Sequence, residues 1–260
     1  MIFNRSGSFP YVPPPIVEIV SWEEGTDAQI AAMVAADRSG TINLQDYWSV
    51  GDTRSVSLSA MEATGVGETH AAQTVNLVLM DSTCRGFTWT ETPSSGVTVP
   101  RFIVGMKDSL KENGYMNAEG TNAGGWRDCA RRAWCNSIFY NALPTDLKPI
   151  FKYFSWSQGQ GGTDTGVNTT SDIFALAVDK TIFGSSSNAV EAESALYAQW
   201  TWYSTASNRI KKVNGSNSQW WEASALKNNT NAFLNVSNAG AATSGNNAIR
   251  TRGISPFGCV

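Results

Sequence analysis

Trp220-Trp221-Glu222-Ala223-Ser224-Ala225 opens the decisive stretch, and Gly253-Ile254-Ser255-Pro256-Phe257-Gly258-Cys259-Val260 closes it. Between them, residues 227–247 are rich in Asn, Ser and Ala, with Asn at 228, 229, 231, 235, 238, 246 and 247. Two adjacent indoles followed by the apolar beats Phe233, Val236, Ile249, Ile254 and Val260 predict core strands, and the residues between them predict displayed loops. On a strand, Trp220 and Trp221 point to opposite faces. One is then in the core and the other is open to exposure as an aromatic anchor, but for the pair together a structural role is the expectation. The Asn density has a plain reading, because Asn tolerates left-handed backbone and forms Asx turns.

Working outward, the 260-residue chain is long enough to bury one substantial core. Charged residues make up only 16 %, whereas Gly, Ser, Thr and Asn abound, which predicts many turns and few long helices. A net charge of −3 supplies no basic field for a nucleic-acid backbone, so no nucleic-acid partner is expected. Arg209, Lys211 and Lys212 form the one basic cluster and read as a solvated hairpin edge. No run approaches the ~20 apolar residues of a membrane span, and the first twenty residues lack a charged-then-apolar leader pattern. Synthesis in a cytoplasm without membrane insertion is the expectation.

Residues 1–20 carry Pro10, Pro13, Pro14 and Pro15, which fix φ and remove backbone donors, so an extended arm is expected before a domain over 21–260. The arm reads either as a docking strap or as a loose terminus. Asp27 is a plausible N-cap for a helix carrying Ile30, Met33 and Val34 and ending at Ser39-Gly40. Alternation predicts a strand over 54–58, and apolar runs predict strands over 75–80, 101–106 and 173–178. Trp126, Ala130, Trp134 and Ile138 recur every four residues and predict one helix, with Arg127, Asp128, Arg131 and Arg132 largely on its other face. Asp128 is then placed to meet Arg131 or Arg132. Residues 156–171 have few apolar anchors and read as a mobile loop, while 189–202 reads as a short helix.

Asn122-Ala123-Gly124-Gly125-Trp126, Trp134-Cys135-Asn136 and Leu143-Pro144-Thr145-Asp146-Leu147 together resemble a family of uncharacterised domains abundant in gut bacteria and their phages, whose pattern runs N-x-G-G-W, R-x-W-L-N, L-P-x-D-L-K. Trp48-Ser49-Val50-Gly51-Asp52-Thr53 resembles its F-K-V-G-D-T start. Val213-Asn214-Gly215-Ser216-Asn217-Ser218-Gln219-Trp220-Trp221 resembles its N-G-S-x-x-x-W-W, and 253–260 resembles its G-V-x-P-x-F-C-V close. The resemblance spans 21–260 and implies an α+β, C-type-lectin-like fold akin to sulfatase-modifying-factor domains and to the variable proteins of diversity-generating retroelements, with irregular loops. The family continues W-W-L-R-S-P, whereas this chain has Glu222-Ala223-Ser224-Ala225 and so lacks the Arg and Pro of that motif. In the retroelement reading, adenine-directed mutagenesis acts on Asn codons and leaves Asn mixed with Ser, Thr, Ala and Gly.

The residues argue against catalysis. A formylglycine-generating enzyme needs cooperating cysteines and a metal, but Cys84, Cys129, Cys135 and Cys259 lack C-x-x-C spacing and read as buried free thiols. His70, the sole histidine, lies in a turn-like segment that is a poor setting for a Ser-His-Asp triad. Asp164, Asp172, Asp179, Glu191 and Glu193 read as scattered acids, and no Gly-rich segment is followed by Lys-Ser/Thr. No cofactor, metal or catalytic residue is therefore assigned. The expected function is a non-enzymatic phage or prophage virion adhesin, a homo-oligomer that displays segment 222–252 to a host-surface protein or glycan. Its arm would bind other virion proteins. Glu222, Ser224, Lys227, Asn229, Asn231, Asn235, Asn238, Asn246, Arg250 and Arg252 are the expected ligand-binding residues. The alternative is a purely architectural virion protein.

Overall fold

The computed structural model describes residues 17–63, 65–163, 165–185 and 188–260, so most of the expected arm, and Asp164, lie outside the described residues. Helix α1 (Asp27–Ser39) begins where Thr26, one residue before the expected cap, accepts from the Gln29 amide, while the Gln29 side chain accepts from the Thr26 N–H. It ends at Gly40, whose φ of 81° suits the left-handed cap. Strands β1 (Thr53–Leu58), β2 (Gln73–Asp81), β3 (Thr88–Trp89) and β4 (Ile103–Met106) follow. Then come helices α2 (Ala130–Trp134) and α3 (Tyr140–Ala142), strands β5 (Phe154–Gly159) and β6 (Val167–Asp172), and short helices α4 (Asp179–Phe183), α5 (Glu191–Ser194) and α6 (Thr201–Ser204). The last strands are β7 (Lys211–Val213), β8 (Ser216–Ser218), β9 (Trp220–Ala225), β10 (Ala232–Val236), β11 (Asn246–Asn247) and β12 (Phe257–Cys259).

The architecture is α+β, with antiparallel sheets ordered β1-β2-β4-β12, β11-β10-β9, β3-β5-β6 and β7-β8. The expected strands over 54–58 and 75–80 form, and β12 joins the main sheet beside β4. Phe257 centres the aromatic core: Trp200, Phe154, Phe87 and Trp156 surround it with ring centroids 4.9–5.8 Å away.

Trp220 and Trp221 are both fully buried, in keeping with the structural role expected of the pair, because β9 is covered on both faces; Trp220 stacks on Tyr203, and Trp221 Nε1 donates to the Gly114 carbonyl at 2.8 Å. No exposed indole anchor remains there. The 126–138 helix is broken: a 3-10 turn over Gly125–Asp128 gives way to extended Cys129, then α2, then a π turn over Cys135–Phe139. The break is tertiary in origin, since Asn117 Oδ1 and the Met116 carbonyl accept from the Ala130 and Arg131 amides. Arg131 is buried on Glu68 and the Tyr115 carbonyl, and Asp128 pairs with Arg127 at 2.7 Å rather than with Arg131 or Arg132.

The expected loop over 156–171 is largely the β5–β6 hairpin. Its inward positions on β6 are Asn168, Thr170 and Asp172, so hydrophobic alternation could not reveal it. Asp172 is fully buried and accepts from Trp126 Nε1, Trp156 Nε1, Thr170, Arg132 and Asn136 at 2.6–3.1 Å. Residues 173–178 are buried but irregular, bridged to β12 only at Ala175, and 189–202 holds two short helices instead of one. The hairpin β7–β8 forms with Lys212 exposed, yet Lys211 is fully buried, its Nζ donating to the Met106 and Lys107 carbonyls beneath Trp220 and Tyr203. All four cysteines are buried and free.

Candidate ligand-facing surface

The segment expected to be displayed divides sharply by burial. Glu222, Ser224 and Asn235 are fully buried, so their expected solvent-facing position is corrected. They lie on the adjacent strands β9 and β10, which are buried along their whole length. Lys227, Asn238 and Arg250 are exposed, whereas Asn229, Asn231, Asn246 and Arg252 are half-buried.

The half-buried amides do turn and network chemistry. Asn229 Oδ1 accepts from the Asn231 and Ala232 amides, each at 2.8 Å, and Asn228 next to it has φ 54°. Asn235 Oδ1 accepts from Asn246 Nδ2 at 2.7 Å and from Thr243 at 2.9 Å. Asn246 Oδ1 in turn accepts from Arg252 Nη2 at 2.9 Å, so the chain Arg252, Asn246, Asn235 ties the last loop to the sheet. Burial, with Arg250 alongside, lowers the Arg252 pKa from its ordinary value.

Asn122, absent from the expected site, organises this end of the molecule. It is fully buried; Nδ2 donates to the Asn229 and Ala232 carbonyls at 3.0 and 2.7 Å, and Oδ1 accepts from the Gly162 amide at 2.9 Å. Its N–H donates to the Thr230 carbonyl and its own carbonyl accepts from Gly125. The 227–231 turn and the 160–163 segment are thereby fixed to one side chain. Gly125 completes the junction: it has φ 59°, and a Cβ there would come within 1.9 Å of the Gly159 carbonyl oxygen. The sequence signal was the Asn122-x-Gly124-Gly125-Trp126 string, which singles out both residues without disclosing what they join.

Beside this junction lies a polar cleft of about 290 Å³ lined by Gly124, Arg127, Gln160, Gly161, Thr163 and Asn168. Arg127 Nη1 donates to Asn168 Oδ1 at 2.9 Å, and Asn168 Nδ2 to the Gly124 carbonyl. The exposed turn residues Lys227, Asn228 and Thr230 adjoin through Asn122, giving one composite face of polar side chains on braced loops.

Under that face lies a group of acids that the sequence presented as scattered. Glu193 accepts from the Gly159 amide at 2.7 Å and from Ser224 Oγ at 2.5 Å, and Ser224 Oγ accepts from the Asp179 amide. Burial raises the Glu193 pKa to about 7, although these donors lower it. Glu222 is pushed well above the ordinary carboxyl range by burial, then by Asp179 and Glu193. Neither Glu222 oxygen meets a hydrogen-bond partner, so its buried carboxyl is held in the protonated form by burial and by the neighbouring acids. Among the described residues, no group of three or more His, Cys, Asp or Glu could hold a metal ion, and no helix is long and apolar enough to cross a membrane. His70, buried rather than in an open turn, lies between Glu112 at 2.8 Å and Glu68 at 3.4 Å.

Residues 103–260 match the family model described as a domain of unknown function, DUF6273, and the chain belongs to that family. No curated protein and no solved structure matches it.

Proposed function

We propose that this member of the DUF6273 family is a non-enzymatic binding protein with a C-type-lectin-like body, carried on a phage or prophage particle and attaching to a host-surface protein or glycan. The supporting observation is the Asn122 junction. Two polar segments from distant parts of the chain are fastened to one buried amide, so their exposed residues are held in register before any ligand arrives. Preorganisation of that kind reduces the ordering cost of binding. The buried indoles beneath let exposed positions change at little cost to stability, within about 0.5 kcal/mol each. Several copies on a particle would multiply weak contacts, and partner virion proteins would be met through residues 1–20.

The binding residues are accordingly revised to the exposed set Lys227, Asn228, Thr230 and Arg250, with Arg127 on the cleft, while Asn238 lies in the turn beyond the opposite end of β10. Replacing Lys227 and Thr230 by Ala together with Asn228 by Gly, which keeps the left-handed backbone at 228, is expected to abolish adsorption to host cells while leaving the melting temperature within about 2 °C of wild type. Undiminished adsorption would refute this face as the binding surface and favour an architectural role.

A further inference from the structure

We propose that Asp179, Glu193 and Glu222 form a proton-held latch that fastens the floor of the ligand-facing surface and loosens its 159–163 segment when the acids ionise. The cluster draws on four parts of the fold: Asp179 begins α4, Glu193 lies in α5, Glu222 and Ser224 are on β9, and the Gly159 amide ends β5. Glu193 is the crosspiece, holding Gly159 with one oxygen and Ser224 with the other. Gly159 leads directly into Gly161 and Gly162, which pack on Asn122, so a shift at Glu193 is transmitted to the cleft wall.

The charges bearing on Glu222 are the acids Asp179 and Glu193; Tyr203 of α6 faces Glu222 and Tyr197 faces Glu193, and neither brings a positive charge. With both ionised, Glu193 and Glu222 would set two negative charges side by side in a buried space, which the protein resists by retaining protons. Among its tethers, the most yielding is the one through α5, a single turn of helix whose Glu191 and Ala192 are exposed, rather than β9, which is bonded along both edges.

The sign follows from the raised values. Opening at α5 lets water reach Glu193 and Glu222, whose pKa values are lower in water, so opening releases protons and is favoured as pH rises. For Glu193 the window runs from the ordinary carboxyl value up to about pH 7, and Glu222 extends it higher.

Backbone amide exchange on the full chain, corrected for the intrinsic rate at each pH, tests the latch without a ligand. Between pH 5.5 and 7 the opening equilibrium at residues 159–163 and 191–195 is expected to rise by up to about a hundredfold per pH unit, as release of two protons requires. The β1–β2 hairpin should stay unchanged. Glu193→Gln should cut that rise to about tenfold per pH unit, and Glu222→Gln should cut it likewise and remove its continuation above pH 7. Constant protection in wild type across pH 5.5–9, or the same rise in Glu193→Gln, would overturn the latch; should Glu222→Gln fail to fold, wild type and Glu193→Gln suffice to decide. The latch's regulatory meaning rests on the binding reading above, yet its test does not. Adsorption lost on the surface substitutions with pH-independent exchange would remove the latch alone, and the reverse outcome would remove the binding surface alone.

Discussion

Asp172 shows how much one side chain supports. Two indole N–H groups, a hydroxyl, a guanidinium and an amide converge on its two oxygens inside the core. Asp172→Ala would leave those donors without an acceptor and Arg132 without its counter-charge, and is expected to cost about 3–5 kcal/mol in a urea titration. The asparagines separate in the same measurement. Asn235→Ala removes the acceptor for Thr243 and Asn246 in a fully buried setting and should cost about 1–3 kcal/mol, whereas exposed Asn238→Ala should change stability by less than about 0.5 kcal/mol. Seven asparagines in twenty residues look alike as letters, and their roles differ only through what the folded chain places around them.

At the scale of elements, legibility followed whether burial was apolar. β1, β2 and α1 carry hydrophobic residues at their native period, and the sequence exposes them directly. β6 hides Asn168, Thr170 and Asp172 inside, so its alternation is of polar residues with other polar residues and reads as loop. The broken helix at 125–142 misleads in the opposite way: both tryptophans are buried as their spacing requires, but bonds from Met116 and Asn117 displace the continuous ladder. The candidate surface was legible only at its exposed turn, because Asn122 and the 160–163 segment reach it across long sequence separations. Hairpin β7–β8 supplies a further pH effect. Burial lowers the Lys211 pKa from 10.5 to about 7, so between pH 7 and 10.5 the unfolded chain binds the extra proton and stability should rise with pH. Lys211→Met should lose that rise, so urea midpoints of the two proteins measured from pH 7 to 10 should converge towards the alkaline end if wild type starts below the variant.

For the molecule as a whole, the division is between an aromatic interior and a polar end whose loops come from well-separated stretches of chain. Variation should be tolerated at Lys227, Thr230 or Arg250 and penalised at Asn122, Asp172 or Trp221, a contrast that an alanine scan read by thermal melting would expose. The late strand β12 has a different consequence. It pairs with β4, some 150 residues earlier, and its Phe257 occupies the middle of the ring cluster. Until those residues leave the ribosome, a nascent chain holds an open strand edge and a vacant aromatic socket, so productive collapse has to wait and chaperones have a long interval in which to act.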